Sequence, residues 1–459
     1  KWGALGRRDQ DTERRGHGRE LSFLGLDRVW AGPEVDRLPG MPAASTVFVA
    51  PYALPSTLRF VSAAIQLPET TCGVIAQEPR EAFLARLDAG TAARVAGFVQ
   101  VGDAHDPDQL EAAVRKMAGE LGTGRIDALI GILEPLQEPL AIVRERLKIR
   151  GMDAAEARRF REKAHMKDVL REHDLPCARH ALATDRETAL AFARKFMPLV
   201  AKPPAGAGGK DTFRVEKIEE LESWMARVPP TPARPLLLEE FVQGTEYSFD
   251  SVSINGKHVF HSISEYAPTP LQVMETPWIQ WTVLLPREIR TPEFADILDA
   301  GPRTLDALGM VNGMTHMEWF RRQDGSIAIS EVAARPPGAQ FTSLISYAHD
   351  MDFYRVWAEA SVFGRFEAPE RKYSTGAAYL RGQSGSGTGG GRVSRVEGLD
   401  KIKAELGDLV VEAQIPKPGQ PRSSSYEGEG YVILRHPDTD VVRRGLKFVV
   451  DTLRVELDS

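Results

Sequence analysis

Glu318 and Glu331 flank an Asp324-Gly325 dipeptide in the segment GMTHMEWFRRQDGSIAISEVAARPPG. Asp-Gly suits a two-residue type I′ hairpin turn, which needs positive φ at both central positions. With 324 and 325 as the turn, residues whose numbers add to 649 face each other, as 318 and 331 do. Directly opposed side chains on an antiparallel pair have Cβ atoms about 4.5–5.5 Å apart, and like charges there repel unless a cation lies between them. Two carboxylates, completed by water and phosphate oxygens, are the donor set expected for Mg²⁺, with Mn²⁺ as the alternative oxygen-seeking ion. Period two places His316, Ala333 and Arg335 on the same face as the glutamates, and Pro336 biases Arg335 towards an extended backbone. A solvated hairpin with charges on its outer face would carry the same pattern, so other motifs must decide.

The next chemistry-bearing residue is Lys202. It ends the apolar strand PLVAKP and precedes PAGAGGKD, where an ammonium can meet phosphate oxygens. Gly206, Gly208, Gly209 and Lys210 follow, and glycine lets backbone approach a ligand closely. A second glycine-rich run, GQSGSGTGGG at 382–391, lacks the Lys-Ser/Thr ending of a P-loop and is read as a mobile turn.

These residues need a scaffold. From Ser45, STVFVAPY reads as a buried strand, STLRFVSAAIQ as a helix and CGVIAQEP as a second strand. Helices at 107–121 and 137–148, with DALIGIL between them, continue the alternation and predict a Rossmann-like N-terminal domain with a parallel sheet. No glycine fingerprint follows its first strand, so a nucleotide must bind elsewhere. Helices are expected at 154–173, 185–196, 216–227, 292–308 and near 350–363. LLLEEFVQGTEYSFDSVSI is read as strand, turn and strand, and 265–291 as a long loop near a site. The fold class is thus α/β and α+β, multidomain. The expected divisions are a polar extension at 1–44, the Rossmann-like domain at 45–152, further units at 153–264 and 265–371, and an α+β subdomain at 372–459.

Bulk properties narrow the function. A chain of 459 residues exceeds one ordinary core. With 42% hydrophobic and 27% charged residues the composition is globular. A net charge of −6 favours neither nucleic acid nor an anionic membrane, so small molecules are the expected partners. Two unpaired cysteines, Cys72 and Cys177, no membrane-length apolar run and no signal-peptide core fit a reducing cytoplasm.

The order of these motifs resembles the ATP-grasp superfamily over roughly 130–459, and within it the L-amino acid ligase and carnosine-synthase-like carboxylate–amine ligases. The family's H-x-E strand followed by E-x-x-x-R-x-x-G is similar to His316, Glu318, Glu331, Arg335 and Gly338. Ala333 stands where many relatives carry an asparagine ligand, which leaves one or two metal ions open. The resemblance implies a pre-ATP-grasp domain, an ATP-grasp fold, ATP with Mg²⁺, and a carboxylate and an amine as substrates; it leaves a homodimer open. It points to Lys163 and Lys202 at the phosphates, with Gly208 and Gly209 in the lid. Backbone at Glu240 and Val242 would meet adenine, and Glu246 the ribose. Helical lysines are ordinarily solvated, so Lys163, with Lys167 one turn along the same face, rests on the resemblance alone. Glu134 matches an acidic residue that contacts the amino substrate, with Glu138 as a competitor. Arg335 and Gly338 would contact substrate. Arg335 would also hold the oxyanion, and His316 is either a base, a hydrogen-bond donor or a structural histidine. Trp278, Trp281 and Trp319 could line an apolar pocket, though large aromatics are more often packed. The rival activities are a biotin-carboxylase-like or purine-pathway carboxylase and, from another class, a non-catalytic ATP-binding regulator.

Overall fold

In the computed structural model, residues 43–206, 212–383 and 391–458 are described. The bulk of the polar extension, the lid residues Gly208, Gly209 and Lys210, and most of the second glycine run lie outside them. Ala44–Val49, Thr70–Ala76, Gly97–Gln100 and Ala128–Ile130 form a parallel sheet in which the first strand lies between the second and the fourth. Their near-continuous apolar runs follow from burial on both faces. Helix Pro55–Gln66 starts on a proline, which removes one of the unsatisfied N–H groups of a helix start. Helix Pro107–Glu120 is capped by the Asp106 carboxylate, which accepts from Asp108 N. Beyond strand Ala128–Ile130 the chain enters a short 3₁₀ turn whose first residue is Glu134.

A four-stranded antiparallel sheet, ordered His180–Ala183, Leu236–Glu240, Leu199–Lys202, Phe213–Val215, forms the second layer. The third is an eight-stranded sheet that carries the glutamate hairpin at one edge, Ile327–Ala333 outermost and Gly313–Arg322 next to it. A small sheet of Gly382–Gln383, Arg454–Leu457 and Val393–Glu397 packs at the C-terminal end.

Three expectations require correction. Helix 154–173 is two helices, Ala154–Arg161 and Lys163–Glu172, broken at Glu162, whose backbone is extended. The break frees Lys163 N to donate to Pro204 O at 3.0 Å, tying the helix start to the loop after Lys202. Segment 265–291 is not a long loop. It holds helix Pro270–Glu275, with a Thr269/Gln272 capping box, and strand Trp281–Leu285 in the middle of the large sheet. Its proline sits at the helix start and its apolar WTVLL run is buried, so mixed composition hid two elements.

The hairpin turn also differs. Glu318 does pair with Glu331, but nearer the turn Phe320 faces Ala328 and Arg321 faces Ile327. Arg322 N donates to Ser326 O and Gly325 N to Arg322 O, so the connection is Gln323-Asp324-Gly325, with Gly325 at φ 85°. This is the three-residue connection with a left-handed glycine. A bulge between Glu318 and Trp319, opposed by the extra residue Ser330, then shifts the register by one. Two departures cancel, and the glutamates meet.

Candidate functional site

A cavity of about 1110 Å³ lies where these layers meet. At one end strand Leu199–Lys202 delivers the buried Lys202, whose Nζ is 2.9 Å from Glu239 Oε2. Helix Lys163–Glu172 delivers Lys163, whose Nζ donates to Gly206 O at 2.7 Å and lies 3.1 Å from Glu331 Oε1. Lys167 does not reach the cavity. It is fully buried, contacts Glu239 Oε1 at 3.0 Å and donates to Ser330 O, the carbonyl of the bulge residue. Glu239 therefore bridges two lysines, an arrangement not visible in the sequence.

Electrostatics follow from this packing. Burial alone would raise the Glu239 carboxyl, yet Lys167 and Lys202 outweigh it and hold it at about 2. Burial pulls Lys167 down despite Glu239, whereas Glu239 and Glu331 overcome burial at Lys202 and raise it. Glu246 is buried and pushed well above the carboxylate range, by desolvation first and by Glu318 second. Glu318 is held low against its burial by His316, Lys202 and Lys163. His316 Nδ1 is 2.6 Å from Asp250 Oδ1 and Nε2 3.6 Å from Glu318 Oε1. Against the pull of desolvation these acids push it up to about 9, which makes it a cation and donor at neutral pH.

The donor set suits a hard divalent cation: oxygen ligands on two opposed strands, and in Glu246 a neighbouring acid whose ionisation is suppressed by burial and by Glu318. Among the described residues no group of three or more His, Cys, Asp or Glu side chains has metal-binding geometry. Mg²⁺ takes one or two carboxylates and fills its octahedron with water and phosphate, so the pair Glu318 and Glu331 is sufficient.

Further along the cavity wall, Glu240 N donates to Arg179 O at 2.9 Å, and its side chain turns out to Arg322 at 2.6 Å. Val242 lies beside it on the cavity lining. Successive strand residues alternate sides; that is why Glu239 points to the lysines and Glu240 away from them.

At the opposite end, Arg335 Nε donates to Glu134 Oε2 at 2.9 Å and Nη1 to Pro336 O at 2.9 Å. The structure joins two residues that sequence reading assigned separately to substrate. Glu138 is occupied by Arg158 and Arg161 at 2.7 and 2.6 Å and does not line the cavity. A side chain at Gly338 would begin 3.3 Å from the Tyr426 hydroxyl, so glycine lets this wall close in. Arg59, from the N-terminal layer, donates to Ser343 Oγ at 2.6 Å and to Glu412 Oε1 at 2.7 Å. Tyr431 and Tyr347 also donate to Glu412. Trp281 and Trp319 are core residues and Trp278 is half exposed. The aromatic lining is instead Phe60, Phe241, Tyr266, Phe320, Phe341, Tyr354, Tyr426 and Tyr431. Trp281 contributes indirectly, donating from Nε1 to Tyr426 O at 2.7 Å.

Residues 196–343, which include Lys202 and the glutamate hairpin, match a family model for the ATP-grasp domain. The chain carries an ATP-grasp domain. An L-arginine-specific L-amino acid ligase of Bacillus subtilis is 24% identical over 249 residues, 53% of this chain and 59% of that protein. The match thus spans less than two thirds of that relative. An L-amino acid ligase from Bacillus licheniformis superposes with a TM-score of 0.68 at 19% identity, covering 91% of this chain and 99% of that one. N5-carboxyaminoimidazole ribonucleotide synthetase from Thermotoga maritima gives 0.61 at 17%, with coverage of 91% and 100%. These likenesses establish the ATP-grasp fold well beyond the matched domain. No helix among the described residues is long and apolar enough to cross a membrane.

Proposed function

We propose that this chain is an ATP-dependent carboxylate–amine ligase that releases ADP and phosphate and joins amino acids, or an amino acid and another small acid. The observation that carries the reading is one cavity with lysines and paired glutamates at one end and the Glu134–Arg335 pair at the other. The L-amino acid ligase likeness supports it.

In this reading Lys163 and Lys202 meet the phosphates, and Glu246 accepts the ribose hydroxyls. Because Glu240 N is engaged by Arg179, adenine would donate to the Glu240 carbonyl and accept from Val242 N–H. Glu318 and Glu331 would hold Mg²⁺, which supplies charge neutralisation at the phosphate oxygens when bound. The substrate carboxylate attacks the γ-phosphorus in line, the bond to the β–γ bridging oxygen breaks, and ADP leaves from an acyl phosphate. The lysines stabilise charge growing on the bridging oxygen. The amine then attacks the acyl carbon, and phosphate departs with the C–O electron pair and takes up the proton that the nitrogen loses. Arg335, oriented by Glu134, has Nη2 left by the bonds described to hold the carboxylate and then the oxyanion. His316, protonated through Asp250, serves as a donor and does not act as a base. Gly338 keeps backbone near the reacting carbon.

The test is ADP release on pairing amino acids and other small carboxylates, with the product weighed by mass spectrometry. ADP release that needs both a carboxylate and an amine, with an amide product, is expected. Release driven by bicarbonate without an amine would replace this reading with a carboxylase, and tight ATP binding without release under any acceptor would leave a regulator.

A further inference from the structure

The ionisable groups that line the cavity are nearly all matched. Arg59 is held by Glu412, Arg335 by Glu134, Lys163 by Glu331 and Lys202 by Glu239. Glu240 is held by Arg322, whereas Glu246, beside Glu318, forms no ion pair among the described residues and lies in the fields of Lys202 and His316 at the lysine end. At the opposite end Glu427 is the exception. It sits on the loop between strands Val410–Gln414 and Gly430–His436, half-buried on the cavity wall, and forms no ion pair among the described residues. Its neighbours are Gln340 and the hydroxyls of Tyr379 and Tyr426, whose ionisation burial and Glu427 disfavour. No cation offsets its desolvation, which raises its carboxyl. Gln340 itself has its Oε1 buried without a donor.

The loop is placed firmly. The Tyr426 carbonyl accepts from Trp281 Nε1, and the Tyr426 ring packs edge-on against Trp281 at 5.6 Å. Trp281 stacks in turn on Tyr379 at 4.2 Å. Glu427 is held at the wall by buried aromatics, and leaving a carboxylate there without a cation is unfavourable.

Charge accounting then selects a ligand. With Arg59–Glu412 and Arg335–Glu134 neutral as pairs, Glu427 leaves the acceptor end one negative charge in excess. A neutral amino acid zwitterion brings no net charge and leaves that excess standing. An amino acid with a cationic side chain removes it.

We propose that Glu427 is a specificity-determining residue that binds the side-chain cation of a basic amino acid substrate. The inference rests on the ligase reading for what happens after binding. It does not rest on it for binding itself. It follows that the site selects lysine-like side chains over isosteric neutral ones and rejects acidic ones.

L-lysine and L-norleucine differ by the terminal ammonium alone and make the sharpest pair of probes. Calorimetric titration of the full chain with each, in the presence of Mg²⁺ and a non-hydrolysable ATP analogue, gives the ratio of affinities. We expect lysine to bind at least about tenfold more tightly, the worth of one charge-assisted hydrogen bond. In Glu427→Gln the ratio should collapse towards one, through weaker lysine binding. Thermal melting of the variant at or above the wild-type temperature establishes that it is folded, since the change removes an unpaired carboxylate. Equal binding of the two ligands by the wild type, or a lysine preference that survives in Glu427→Gln, overturns the proposal. Lysine-selective binding that depends on Glu427, without ADP release under any pairing, would sink the ligase reading and leave this one standing.

Discussion

The two ends of the cavity are built in opposite ways. At the phosphate end, charge faces charge: Lys163 with Glu331, and Lys202 and Lys167 with Glu239, all delivered by short strands and one helix start. At the acceptor end, two ion pairs and a network of hydroxyls join segments hundreds of residues apart: Arg335 reaches Glu134 across 201 positions, and Arg59 reaches Ser343 across 284 and Glu412 across 353. In the proposed reading, the first arrangement would stabilise a polyanion by preorganised charge. The second shapes a pocket whose preference depends on a few exposed edges. On that reading, nucleotide chemistry and substrate choice should be separable by mutation.

The largest effect should come from Glu239→Gln, which leaves two buried lysines without a carboxylate. Breaking a buried pair from one side costs about 3–5 kcal/mol, so chemical denaturation should show the ATP-grasp domain weakened by that order. A variant as stable as wild type would mean that the bridge is not what holds the phosphate end. Next, Glu331→Gln should lower nucleotide turnover about 100-fold, because a neutral amide binds Mg²⁺ poorly. Intact turnover would remove Glu331 from the metal. Arg335→Lys keeps the charge but loses the fork that Glu134 grips. Amide formation should fall about tenfold, with ATP-analogue affinity unchanged; a parallel loss of nucleotide binding would merge the two ends that are separated here.

The smallest effect is a pH dependence of opposite sign at the two ends. Glu239 titrates at about 2 in the folded chain against 4.5 ordinarily. Its contribution is present above 4.5 and is lost as pH falls from there towards 2. Glu427 is raised above its ordinary value, so it costs stability at neutral pH and that cost is relieved as pH falls through its folded pKa towards 4.5. Melting curves of Glu239→Gln and Glu427→Gln across acid pH should lose these two slopes respectively. The same slope lost in both would contradict the contrast.

The contrast also explains what the sequence could reveal. Glu318, Glu331 and Lys202 were legible because hairpin and strand periodicity are local, and the pairing survived a turn one residue longer than Asp-Gly implies because the Ser330 bulge restored the register. Glu239 was not legible. In LLLEEF both faces of the strand are apolar, so nothing local says which of two adjacent glutamates points inward. Lys167 looked like a companion of Lys163 because they lie one turn apart, but the break at Glu162 and the packing of the helix send it to Glu239 instead. The acceptor end was legible only at Glu134 and Arg335, by resemblance. Arg59, Glu412, Tyr431 and Glu427 converge through tertiary packing that no spacing encodes. In 265–291, a capped helix and a central strand were hidden because Pro and Thr were read as loop residues when they mark a helix start.

Carboxylate activation is the central claim, and it leaves an atom behind. With a substrate carboxylate carrying heavy oxygen, ligation through an acyl phosphate transfers one labelled oxygen to the released inorganic phosphate. Mass spectrometry of that phosphate should show one label per turnover, and the label should disappear with product in Arg335→Lys in proportion to its rate. Unlabelled phosphate accompanying full amide formation would contradict the account.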